Sequence, residues 1–176
     1  MSKILLVPGH CITGDRGAFS SYLKQTEQVY NKRVADILKC RYNEDYDVYE
    51  HSIQGYNSRQ ETLAKFENQR NYKVVVELHF NASKHHTAQG SEVLFFYKST
   101  KGREYAEIVL NEILKEYGLR NRGVRSVSSG NGYGFLQKMK APAILIEPFF
   151  GDDPKCVAFE NIERYAETLH RAFQKM

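Results

Sequence analysis

Apolar residues follow two different spacings along this chain. Unbroken apolar runs occupy residues 4–7, 74–76 and 143–146. A run without polar interruption predicts a strand buried on both faces, the kind found in parallel sheets. Weaker strand signals, β-branched and aromatic, lie at 46–50 and 91–97. Elsewhere the spacing is helical. Tyr30, Val34, Ile37 and Leu38 share one face of a helix over 27–39. Ser58 and Glu61 read as a capping box opening a helix that runs to Arg70. Ala106, Val109, Leu110, Ile113, Leu114 and Tyr117 mark a helix from Thr100 that Gly118 ends. Ala158, Ile162, Tyr165, Ala166, Leu169 and Phe173 predict a closing helix. Residues 121–133 read as an irregular, glycine-rich loop. Strands alternating with helices predict a single α/β domain over residues 1–176. Its expected form is a twisted, mostly parallel sheet of about six strands with helices on both faces.

Composition narrows the partners. Hydrophobic residues make up 41% and charged residues 26% of the 176 positions, ordinary for a soluble globular protein. The net charge of +4 suits an acidic polymer but is too weak to argue for nucleic acid. No window resembles a known nucleic-acid-binding motif, so no nucleic-acid partner is expected. The four apolar residues before Pro8 are too few for a signal-peptide core. No stretch reaches the length of a membrane span, so no membrane insertion is expected. The expectation is synthesis in the cytoplasm without a signal peptide. Cys11, Cys40 and Cys156 are odd in number and widely spread, and form neither a disulfide framework nor a metal-binding pair motif.

Ionisable residues stand where the apolar runs give out. His10 follows the first run, His79 follows the valines, and Glu147 closes the third. In open α/β sheets chemistry gathers at the carboxyl ends of strands, so these three side chains converge at one edge. Glu27 joins them from the start of the first helix, on the same apolar face as Tyr30. A carboxylate there is costly unless paired or bound to a metal; otherwise it reaches solvent or interacts with the helix dipole. Each residue taken singly also reads as an ordinary solvated or core group. Together, two histidines, one carboxylate ligand and one free carboxylate are the composition of a catalytic zinc site. The free carboxylate would serve as general base for a water attacking a carbonyl. Cys11, next to His10, is an alternative thiol ligand. Gly9 and Gly14 have phosphate-loop spacing, but Asp15 and Arg16 replace the required Lys and Ser/Thr, which excludes nucleotide binding.

These motifs also carry a family resemblance. Pro8-Gly9-His10, Gly17-Ala18 and Glu27, then Leu78-His79-Phe80-Asn81-Ala82, Gly90-Ser91-Glu92-Val93 and Ala141 through Glu147 with Phe150, occur in one order over essentially the whole chain. That ordered set resembles the zinc-dependent N-acetylmuramoyl-L-alanine amidases of amidase type 3. The resemblance implies one zinc held by His10, Glu27 and His79, with Glu147 as the catalytic glutamate. It implies hydrolysis of the amide between the lactyl group of N-acetylmuramic acid and L-alanine in peptidoglycan. With no signal peptide and no separate wall-binding domain expected, it further implies a phage or prophage lysin, released onto the wall by a separate holin-type protein. The alternatives are a zinc peptidase acting on the stem peptide and a non-catalytic wall-binding module. Glu77-Leu78-His79 departs from the family's usual Ser-Ile-His. Glu77 shares a strand face with His79, and is expected to orient it, to form a structural ion pair, or to displace Glu27 from the metal. His85 and His86 are expected in an exposed loop or gripping substrate, and Asn81 in a turn or on the rim of the site.

Overall fold

The three apolar runs are neighbouring strands in the middle of one sheet. In this computed structural model, which describes residues 2–52, 55–84 and 87–176, β1 is Ile4–Pro8. Two short strands, β2 (Phe19–Ser20) and β3 (Gln25–Thr26), form an antiparallel hairpin before α1 (Glu27–Arg41). Then follow β4 (Tyr46–Val48), α2 (Tyr56–Glu67), β5 (Val74–Leu78), β6 (Ser91–Phe96) and α3 (Thr100–Tyr117). The chain ends with β7 (Asn121–Val127), α4 (Tyr133–Lys138), β8 (Ala143–Glu147), a 3-10 turn at Pro154–Phe159 and α5 (Ile162–Phe173).

The six-stranded sheet runs in the order β4-β1-β5-β8-β6-β7. Every pairing is parallel except β6 with β8. Residues along each central strand alternate between two cores. Ile4, Leu6, Val74, Val76, Ile144 and Ile146 pack towards α1, α3 and α5. Leu5, Val7, Val75 and Leu145 pack towards Leu63 of α2 and Phe135 and Leu136 of α4. Each fully buried aliphatic side chain contributes roughly 1.5–3 kcal/mol relative to exposure, which is why the runs carry no polar interruption. Among the described residues no helix is long and apolar enough to cross a membrane.

Several element boundaries depart from the sequence reading, and α2 ends at Glu67 rather than Arg70. Ser58 does not cap α2, because the helix starts two residues earlier, after Gly55 at φ 90°, and Ser58 lies inside its first turn. Ala158 belongs to the exposed side of the 3-10 turn, and the closing helix starts at Ile162 with Asn161 accepting the Arg164 N–H. Residues 121–133 are not wholly irregular. They hold β7, an edge strand whose mostly exposed or half-buried side chains give no apolar pattern.

Candidate metal centre and its cleft

The parallel run β1-β5-β8 brings three chain exits to one edge of the sheet. His10 lies just past β1, and the Gly9 N–H bonds the Leu78 carbonyl of β5, so the two exits are tied together. His10 has φ 68°, a left-handed conformation that non-glycine residues rarely adopt outside functional sites. Glu27 is brought in by the start of α1. Its own N–H bonds the Ala18 carbonyl and the next bonds Arg16, fastening the loop after His10 onto the helix end.

Glu27 is 3% exposed and sits between both imidazoles. Its Oε2 lies 3.0 Å from His10 Nε2, and its Oε1 lies 2.6 Å from His79 Nδ1. It also accepts the Ala18 and Phe80 N–H groups at 3.1 Å each. Burial opposes its ionisation, but the two histidines prevail and bring its carboxyl down to about 2. Burial likewise opposes protonation of His79, yet Glu27 and Glu77 hold it well above the ordinary histidine range. Backbone space is fitted to these rings. A Cβ at Gly17, itself at φ 71°, would lie 2.5 Å from Glu27 Oε2, and one at Gly9 would strike the His79 ring.

The second nitrogen of each histidine also faces a carboxylate. His10 Nδ1 is 3.0 Å from Asp15 Oδ1, and Arg59 donates to Asp15 Oδ2 at 2.9 Å. Burial raises the Asp15 carboxyl, but Arg59, His10 and the Gly17 N–H outweigh it and hold it below the usual range. His79 Nε2 is 3.3 Å from Glu77 Oε2. Glu77, 2% exposed, accepts from Gln60 at 3.3 Å and lies 3.7 Å from His51 Nε2. Glu77 thus meets His79 on the nitrogen opposite Glu27, with His51 and Gln60 as its other partners.

Glu147 stands across the cleft at the end of β8. Its Oε2 is buried without a hydrogen-bond partner among the described residues. Burial is the main cause that pushes its carboxyl up to about 7; His79 opposes this, while Glu92 and Glu27 add to it. A cleft of about 540 Å³ joins His10, Glu27, His79 and Glu147, with Tyr56, Phe80 and the Gly130–Gly132 turn on its walls.

The four residues expected from the sequence therefore meet in one place. One donor atom each from His10, Glu27 and His79 lie within 4.8 Å of one another, a His/Glu/His set able to hold a metal ion. Their histidines are backed by carboxylates, as metal-bound imidazoles usually are, so the donor set fits a divalent cation. Cys11 is not part of it: its buried thiol donates to the His51 carbonyl. Asn81 is on the rim, donating to Glu92 at 3.1 Å. Tyr133, at the start of α4, packs on Phe96. His85 and His86 lie outside the described residues. Sequence reasoning missed Asp15, Arg59, His51 and Gln60 as partners. A weak signal was present, since Asp15 follows His10 closely within the glycine loop.

The same fold occurs in solved structures described as N-acetylmuramoyl-L-alanine amidases or as an endolysin catalytic domain. The catalytic domain of an endolysin targeting Clostridia difficile superposes with a TM-score of 0.81 at 26% identity, covering 99% of this chain and 98% of that one. An N-acetylmuramoyl-L-alanine amidase from Clostridium difficile 630 gives 0.80 at 24% identity, covering 99% and 95%. The catalytic domain of such an amidase from Bacillus (Paenibacillus) polymyxa gives 0.78 at 19%, covering 99% and 97%. No curated protein sequence matches the chain. A sequence model of the amidase type 3 family, described as N-acetylmuramoyl-L-alanine amidase, matches residues 4–175, and the chain belongs to that family.

Proposed function

We propose that this chain is a zinc-dependent amidase that cuts the bond between the lactyl group of N-acetylmuramic acid and L-alanine in peptidoglycan. His10, Glu27 and His79 hold one zinc per chain, and Glu147 is the catalytic carboxylate. The observation that carries this reading is Glu27 poised between two imidazoles, with a Glu147 oxygen that has no hydrogen-bond partner among the described residues in the same cleft. Zinc, when bound, supplies Lewis-acid stabilisation of the developing oxyanion and acidifies water. Glu147 takes the proton of the attacking water and passes it to the departing amine nitrogen as the C–N bond breaks. Burial of Glu147 suits it to both roles, because a carboxyl near 7 accepts and returns a proton at neutral pH. Mass spectrometry of digested wall tests the assignment. The expected products are intact lactyl-muramic acid and a new L-alanine amino terminus. Release from within the stem peptide would make this a zinc peptidase instead, and unchanged wall would leave only a binding module.

Glu77 acts through His79. By accepting the Nε2–H it leaves Nδ1, the nitrogen facing Glu27, free to bind metal. Glu77→Ala is expected to weaken zinc binding about 10- to 100-fold, read by chelator competition. Unchanged affinity in the folded variant would reduce Glu77 to a structural ion pair.

The biological setting we propose is lysis by a phage or prophage enzyme, supported by the endolysin catalytic domain matched over nearly the whole chain. Expression with a holin-type membrane-permeabilising protein should lyse the host, and expression alone should not. Lysis at the same rate without the permeabilising protein would remove that dependence.

A further inference from the structure

Glu147 lies on the border of two clefts. Beyond the metal centre a second hollow of about 450 Å³ shares Asn81, Leu94, Asn131 and Glu147 with the first. Its walls differ in chemistry. They carry Arg122 and Arg125 of β7, with Ser126, Ser128 and Ser129. Glu92, whose side chain is 4% exposed, organises both guanidinium groups: Arg122 Nε lies 3.1 Å from its Oε1, and Arg125 Nη1 lies 3.1 Å from its Oε2. Arg122 is further held over the Phe150 ring, 4.9 Å from its centroid.

Two carboxylates and two guanidinium groups line the hollow, but only Glu92 is paired with the arginines, while Glu147 serves the neighbouring cleft. An arginine has five N–H donors. The buried Arg122 Nε–H has no formed hydrogen bond among the described residues, so its contact with Glu92 is Coulombic rather than a made bond. Arg125 keeps most of its fork towards the hollow, with its side chain 58% exposed. Two guanidinium groups fixed by one carboxylate form a receptor for a second carboxylate.

The antiparallel turn of the sheet places this receptor beside the reaction. Glu92 is in register with Glu147 across the β6–β8 pair, and Gly123 and Arg125 of β7 are in register with Glu92 and Leu94. The scissile amide must lie at Glu147, so the two limbs of the substrate leave it on either side. A peptidoglycan strand has an uncharged sugar limb and a peptide limb whose second residue, an isomeric glutamate, bears either a free α-carboxylate or its amide. We infer that the Arg122–Arg125 hollow binds the peptide limb through that free α-carboxylate, so that the enzyme prefers walls in which it is not amidated. This deepens the amidase reading and rests on it.

Two soluble N-acetylmuramoyl tripeptides test the inference. They differ only in carrying a carboxylate or a carboxamide on the α-carbon of the second residue. Wild-type enzyme is expected to favour the carboxylate by about tenfold or more in kcat/KM, mainly through KM, the scale of one charge-assisted pair. Arg125→Met and Arg122→Met are expected to bring that ratio towards one, and Arg125→Lys to retain part of it, since lysine keeps the charge but not the fork. A wild-type ratio near one overturns the inference while leaving the amidase reading intact. So does a ratio that survives in Arg125→Met shown folded by circular dichroism. Failure to cleave either compound overturns both readings together.

Discussion

Glu147→Gln is expected to slow amide hydrolysis by about 100- to 10,000-fold, the range typical of a lost general acid–base, while zinc content stays at that of the unaltered protein. Glutamine keeps the shape and one acceptor oxygen but can neither take nor return a proton. The residue makes no hydrogen bond through Oε2 among the described residues, so the substitution breaks no network. Its structural cost is correspondingly small, and burying an uncharged group in place of an acid raised to about 7 removes a desolvation penalty. The sign of the pH effect follows. Glu147 must be ionised to act as base, so the rate falls as pH drops through its own pKa. That value is about 7 without metal, and a bound dication lowers it, which sets the acid limb of kcat/KM below about 7. Glu147→Gln should abolish that limb along with most of the rate. Wild-type rates retained in Glu147→Gln would remove it from the chemistry.

Loss of the metal is the second large effect. Glu27→Ala or His79→Ala is expected to weaken zinc binding by more than about 100-fold, beyond the range for an outer partner. Metal analysis after dialysis against a chelator reads this directly. The melting curve gives an independent readout. At zinc about 100-fold above its Kd, binding adds about 2.7 kcal/mol to wild-type stability. The zinc-dependent rise in Tm should vanish in His79→Ala. The two variants should differ without metal. Glu27→Ala also strips the acceptor from the Ala18 and Phe80 N–H groups and removes the carboxylate between the two imidazoles, so its metal-free form should be the less stable. Full zinc retention in both variants would reject the His10–Glu27–His79 assignment.

The strand ends were readable because the physics of burial is local. Residues 4–7, 74–76 and 143–146 must be apolar throughout to lie between two helical layers, so an ionisable residue within three positions of each run's end falls at or near its exit, with Glu77 still inside β5 and His79 just past it. His10, His79 and Glu147 stood out for that reason, and Glu27 because a carboxylate on a buried helix face needs a partner. What stayed hidden are contacts between distant segments. Arg59 reaches Asp15 from α2, and His51 and Gln60 reach Glu77 from either side of the chain between β4 and β5. No spacing rule encodes such pairs. The edge strand β7 was missed because an edge exposes most of its side chains, so it lacks the apolar signature that betrays a central strand. The helix α4 was missed because it is one short stretch with only Phe135 and Leu136 buried.

The single antiparallel pairing, β6 against β8, divides the cleft between two sets of strands. One set, β6 and β7, is inserted in the chain between β5 and β8. His10, His79 and Glu147 stand at the exits of β1, β5 and β8 and Glu27 at the start of α1, whereas Glu92 and the two arginines stand on β6 and β7. The two sides also touch through Asn81 with Glu92, Ser91 with Pro148 and Arg122 over Phe150. Both arginines nevertheless sit on β7, the strand at the sheet's outer edge, where substitution touches none of the three candidate metal ligands directly.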